Sequence, residues 1–190
     1  MPAYLYDAVT LQHFAVAEAL PLLAEVHGDA PAPRWTLQVY REVEAGLHLL
    51  PSHGQCGAVL DFTWLGEPAE GDVLETLRMR PLLGGGDDPH AHLGEAESIV
   101  VAHASGAVFV TDDGPAYDFA MRATNLGRAG VLDACGILWQ AASAQLIDEG
   151  GMLDFHHQVF DAGRTMRCRC RMWPGGDSLD DKLRNLRRGR

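Results

Sequence analysis

Residues 94–120 read GEAESIVVAHASGAVFVTDDGPAYDFA. An apolar stretch of helical length, headed by Glu95 and Glu97, passes through Ala-Ser-Gly at 104–106 into the short apolar run 108–111, which stops at Asp112 and Asp113. Such a run reads as a buried strand, and short buried strands set between helices belong to a parallel sheet covered on both faces. The turnback can bring Glu95 or Glu97 near Asp112 or Asp113. Carboxylates gathered this closely need a cation or protons to coexist.

The same alternation extends along the chain. Residues 4–6 open as a strand ending at Asp7, and residues 11–26 (LQHFAVAEALPLLAEV) are expected to be one helix despite Pro21. Residues 35–50 place apolar side chains at 35, 39, 43 and 47, an amphipathic helix with Glu42 beside its apolar face. Residues 58–65 (AVLDFTWL) alternate well enough for a second strand, and 71–83 suit a short helix with Asp72 near its start. Three glycines and a proline make 84–92 a loop. Beyond the acidic segment come a helix over 116–126, a short strand over 130–132, a long apolar helix over 133–146 and a last helix over 152–160. This is an α/β pattern: three layers, α/β/α, around a parallel sheet of about four strands. Ligands of such sheets sit off the carboxyl ends of the strands, where Asp7 and the Asp112, Asp113 pair fall.

A chain of 190 residues, 47% hydrophobic, supports one sizeable core. Residues 1–162 are expected to form a single domain and 163–190 a basic C-terminal tail. Nine of the fifteen basic residues lie from Arg164 onward against three aspartates, so residues 164–190 carry +6 while residues 1–163 carry −17. A body this acidic does not attract polyanions unaided, and Arg184, Arg187 and Arg188 are the candidate substrate contacts. No apolar run approaches the roughly 20 residues that cross a bilayer. The opening MPAYLYDAV has no basic leader region. A cytoplasmic protein is therefore expected, with Cys56, Cys135, Cys168 and Cys170 as reduced thiols.

Four segments thus offer carboxylates to one edge: Asp7, Glu42, Glu95 or Glu97, and Asp112 or Asp113. Hard oxygen donors of this kind hold Mg²⁺ or Mn²⁺, the cations that assist phosphodiester hydrolysis. Glu95 and Glu97 point about 200° apart on a helix, so at most one of them can touch a cation.

With these motifs the sequence resembles the PIN-domain family of small α/β nucleases, in particular the toxin ribonucleases of toxin–antitoxin pairs. The residues carrying the resemblance are LYDA (5–8), VYREV (39–43), GEAESI (94–99), VTDDGPAYDFA (110–120) and, more loosely, GVLDACGILWQA (130–141). The resemblance implies a metal-binding quartet of Asp7, Glu42, Glu95 and Asp113, with Asp112 and Glu97 as substitutes. It also implies Mg²⁺ or Mn²⁺ as cofactor, RNA as substrate, an antitoxin as partner and a homodimer. One position departs from the family, which often carries a hydroxyl within two residues of its first Asp. Here Ala8 and Val9 follow Asp7, and the first hydroxyl is Thr10.

Two alternatives stand beside this reading. One is a PIN-like binding or regulatory protein without catalysis. The other is a haloacid dehalogenase-like phosphatase built on YLYDAVTL (4–11), in which Val9 occupies the place of that family's second acid and no lysine precedes Lys182. Among lesser signals, His90, His92 and His103 read as solvent-exposed histidines rather than a metal cluster, and Trp64 and Trp139 as core residues.

Overall fold

The computed structural model describes residues 2–49, 53–84, 88 and 91–167. The basic tail, including Arg184, Arg187 and Arg188, and the loop residue His90 lie outside them. Three strands, β1 (Tyr4–Tyr6), β2 (Val108–Val110) and β3 (Val131–Leu132), form a parallel sheet in the order β1-β2-β3. Tyr4 pairs with Val108, Tyr6 with Val110, and Val110 with Leu132. The strands have few hydrogen bonds each, and burial holds them together: Leu5, Tyr6, Phe109 and Val110 are all fully buried.

Side chains alternate across the sheet and so divide the core in two. Tyr6, Val108 and Val110 pack against α1 (Ala8–Val16), α2 (Leu20–His27), α3 (Leu37–Gly46), α4 (His53–Leu60), α8 (Ala134–Ser143) and α9 (Glu149–Asp161). Leu5, Phe109 and Val131 pack against α6 (Leu93–Ser105) and α7 (Gly114–Ala123). A further short helix, α5 (Val73–Met79), lies along α6. The chain is therefore an α/β protein with a small parallel sheet covered on both faces.

Several expectations need correction. Residues 58–65 form no strand: Cys56 and Val59, three apart and both fully buried, make this the apolar stripe of α4, followed by a 3-10 turn at Thr63–Leu65. Among the described residues the sheet thus has three strands, not about four. The helix expected over 11–26 is two helices bent by 111°, because the chain breaks ahead of Pro21, which sits in the first turn of α2 where its missing N–H costs nothing. Trp139 is 49% exposed on α8, whereas Trp64 packs at the core's edge. Cys135 is disulfide-bonded, correcting the expectation of reduced thiols, while Cys56 is free and buried. Residues just past the expected domain end remain packed on the body: Met166 is buried and Arg167 lies 3.4 Å over the Tyr117 ring. No single described helix is long and apolar enough to cross a membrane.

Candidate metal centre

Each strand runs into an aspartate that caps the following helix. Asp7 accepts from Thr10 N (2.6 Å) ahead of α1, Asp113 from Ala116 N (2.7 Å) ahead of α7, and Asp133 from Gly136 N (2.8 Å) ahead of α8. Capping accounts for an aspartate at these places, since its side chain satisfies an amide with no helical partner. What separates the three is the surroundings of each carboxylate. Asp133 is held by Arg167 at 3.0 Å, so its charge is compensated. Asp7 and Asp113 face other acids.

Asp7 is 1% exposed and pushed up to about 7, chiefly by burial, against the stabilising bonds from Thr10 and Thr111 and with the Asp112 charge adding to the rise. The Thr111 hydroxyl, from the end of β2, donates to Asp7 Oδ2. A hydroxyl partner for the first aspartate is therefore present, supplied across the sheet rather than by positions 8 and 9.

Glu42 projects from the middle of α3 toward the head of α6, where Gly94 N donates to Glu42 Oε1 at 3.0 Å. A Cβ on Gly94 would lie 2.7 Å from both Glu42 carboxylate oxygens, so only glycine lets the carboxylate dock here. Burial, then the charge of Glu95, then those of Asp7 and Glu97 push Glu42 up to about 8, against the Gly94 amide. Burial also raises Glu95, with Asp113 adding to the effect and His92 opposing it. Glu42 thus feels Asp7 and Glu95, and Glu95 feels Asp113: the structure brings Asp7, Glu42, Glu95 and Asp113 into one electrostatically coupled group.

Asp112 and Glu97 are differently employed. Asp112 Oδ2 accepts from His13 Nδ1 at 2.7 Å, both side chains being essentially inaccessible, and Oδ1 accepts from Ala134 N at 3.2 Å. This acid ties β2 to α1 and α8. Glu97 accepts from Gln38 N (2.7 Å) and Gly71 N (3.1 Å), fastening the start of α3 and the lead-in to α5 onto α6.

Three contributors were missed in the sequence. Thr111 stood in plain view beside the Asp pair. Arg41, next to Glu42, is exposed and shares with Glu42, Gln38 and Leu93 a cleft of about 460 Å³. His92, read as a loop histidine, has Nδ1 3.9 Å from Glu95 Oε2, and its ring, Glu95 and Asp113 offer ligand atoms all within 4.8 Å of one another. The three-residue spacing from His92 to Glu95 at a helix start was the available signal. His103 is exposed and lines a separate hollow of about 420 Å³ to which none of the four carboxylates contributes.

No family model matches this chain, and neither a curated protein nor a solved structure matches it.

Proposed function

We propose that this chain is a PIN-like, three-layer α/β/α nuclease that hydrolyses RNA phosphodiesters with Mg²⁺ or Mn²⁺, as the toxin of a toxin–antitoxin pair. The observation that carries this reading is the electrostatic proximity of Asp7, Glu42, Glu95 and Asp113, from four segments of the chain, beside the carboxyl ends of β1 and β2, with Glu95 and Asp113 alone of the four bringing ligand atoms within 4.8 Å of each other and of His92. The donor set fits a hard divalent cation. Asp7 and Glu42 are driven up to about 7 and about 8 chiefly by burial, with the charge of Asp112 adding to the first and those of Glu95, Asp7 and Glu97 to the second, and a cation would let both ionise. Gly94 leaves room for the Glu42 carboxylate, which hydrogen bonds alone do not neutralise.

In this reading Asp7, Glu42, Glu95 and Asp113 would hold the cation, which would supply Lewis-acid polarisation of the scissile phosphate. Thr111 fixes the carboxylate plane of Asp7, and Arg41 at the adjoining cleft receives a substrate phosphate. The acidic body needs both the cation and its basic residues to tolerate a polyanion. A cytoplasmic setting, an antitoxin, and a homodimer belong to the same proposal. A phosphatase using Asp7 as nucleophile is less well supported, because Val9 stands where its second acid would be and no lysine precedes Lys182.

Cleavage of a labelled single-stranded RNA with and without Mg²⁺ or Mn²⁺ tests the proposal. Asp7→Asn, Glu42→Gln, Glu95→Gln and Asp113→Asn should each lower the rate by about 100-fold or more, as expected for losing several kcal/mol of transition-state stabilisation. Full cleavage in Asp7→Asn would refute the assignment. If neither cleavage nor cation-induced stabilisation is seen, the non-catalytic binding protein takes its place.

A further inference from the structure

We infer that His92 is itself a ligand of the cation at this site and that it makes the site select Mn²⁺ over Mg²⁺; this rests on the metal-dependent reading above. His92 precedes α6 and adopts a left-handed backbone (φ 59), yet its ring forms no capping bond to the helix amides. The ring turns instead to the carboxylates. Its Nδ1 is 3.9 Å from Glu95 Oε2, inside the roughly 4.2 Å that two ligand atoms can span across one ion at bond lengths near 2.1 Å. Asp113 completes a group whose ligand atoms all fall within 4.8 Å, somewhat wider than that span, so a bound ion would draw the three side chains together. Side-chain exposures of 25% for His92 and 13% for Glu95 leave this corner shielded but open to an entering ion.

The chemistry then decides between the two cations. Mg²⁺ demands oxygen donors in near-ideal octahedral geometry and gains little from an imidazole, whereas transition metals accept nitrogen readily, and Mn²⁺ alone among the two candidates accepts both donor types. Three or four carboxylates with one imidazole therefore suit Mn²⁺. The rival explanation is that His92, when protonated, only pairs with Glu95 as a charge.

Two measurements on the full chain separate these explanations. Pulsed electron paramagnetic resonance of the Mn²⁺-loaded protein should show coupling to a directly bound imidazole nitrogen, absent in His92→Gly. Glycine suits the left-handed backbone at this position, so that variant removes the ring without straining the turn. Titration followed by calorimetry should show Mn²⁺ binding about 10-fold or more weaker in His92→Gly, with Mg²⁺ binding unchanged. Bound Mn²⁺ with only oxygen ligands, or an Mn²⁺ to Mg²⁺ affinity ratio unaltered by the substitution, overturns the role of His92 and leaves the nuclease proposal standing. Failure of both cations to bind at millimolar concentration overturns both.

Discussion

Asp112 and Asp113 are neighbours of the same type with opposite employment. Asp112 is buried against His13, and removing one member of such a pair strands the other without compensation. Asp112→Ala should therefore destabilise the fold by about 3–5 kcal/mol in urea denaturation. Asp113→Asn keeps a residue that caps as well as aspartate, so its stability should change by no more than about 0.5 kcal/mol. The same variant should lose the melting-temperature rise given by Mn²⁺. A large stability loss in Asp113→Asn, or a normal Mn²⁺ response in both variants, would reverse the two roles. Gly94 permits a parallel experiment. Its missing side chain is the space occupied by the Glu42 carboxylate, so Gly94→Ala should weaken cation binding about 10- to 100-fold. Because alanine favours helix over glycine, the cooperative unfolding transition should survive. Unchanged affinity in Gly94→Ala would mean that Glu42 does not hold the ion.

Helix α6 is the element on which the site depends. Its apolar residues Ile99 and Ala102 are fully buried beside the sheet, its head presents Glu95, and Glu97 reaches sideways to bind the amides of Gln38 and Gly71. The bond to Gln38 fixes the start of α3, and hence where Glu42 arrives about one turn later. Glu97→Ala would leave two amides without their charged acceptor, and bonds to charged groups contribute about 1.5–3 kcal/mol each. We expect a loss of about 3–6 kcal/mol, together with weaker cation binding through the displaced α3. Thermal melts with and without Mn²⁺ would measure both; a variant that melts like the parent would show that α3 is positioned by its apolar contacts alone.

For the molecule as a whole, the raised carboxylates link folding to pH. Asp7 moves from 3.8 to about 7 and Glu42 from 4.5 to about 8, so these two acids keep protons in the folded chain that the unfolded chain has released, whereas burial lowers His27 from 6.5 to about 4 and lowers His156, which opposes them below about pH 6.5. Stability without metal should therefore change little below about pH 6.5, where the two effects oppose, and fall as pH rises from there to about 8, where the acids alone lose their protons, opposite to the trend of carboxylates stabilised by cations. Saturating Mn²⁺ or Mg²⁺ binds the ionised acids and should flatten or invert the slope. Urea midpoints at pH 5, 6, 7 and 8 with a chelator and with metal provide the comparison. A metal-free midpoint that rises from pH 7 to 8 would contradict the burial and repulsion assigned to Asp7 and Glu42.

Local chemistry made much of this protein legible. Asp7, Asp72, Asp113 and Asp133 announce helix starts because a carboxylate caps free amides, and the runs at 4–6 and 108–110 announce buried strands because nothing polar interrupts them. The acids that converge on the sheet edge were named from the same patterns. Where the signal was ambiguous, packing decided: residues 58–65 satisfy both alternation and a three-residue apolar spacing, and burial of Cys56 and Val59 selects the helix. Some assignments had no local signal at all. That Asp112 belongs to His13, 99 residues away, that Thr111 serves Asp7, 104 residues away, and that Glu42 docks on Gly94 depend on contacts between distant segments. The sequence determines which residues can end a strand, cap a helix or hold a cation, because those properties reside in single side chains and their neighbours. Only the tertiary structure decides which acids share one low-dielectric volume and which are already neutralised, because charge interactions depend on distance and burial, neither of which is a property of sequence position.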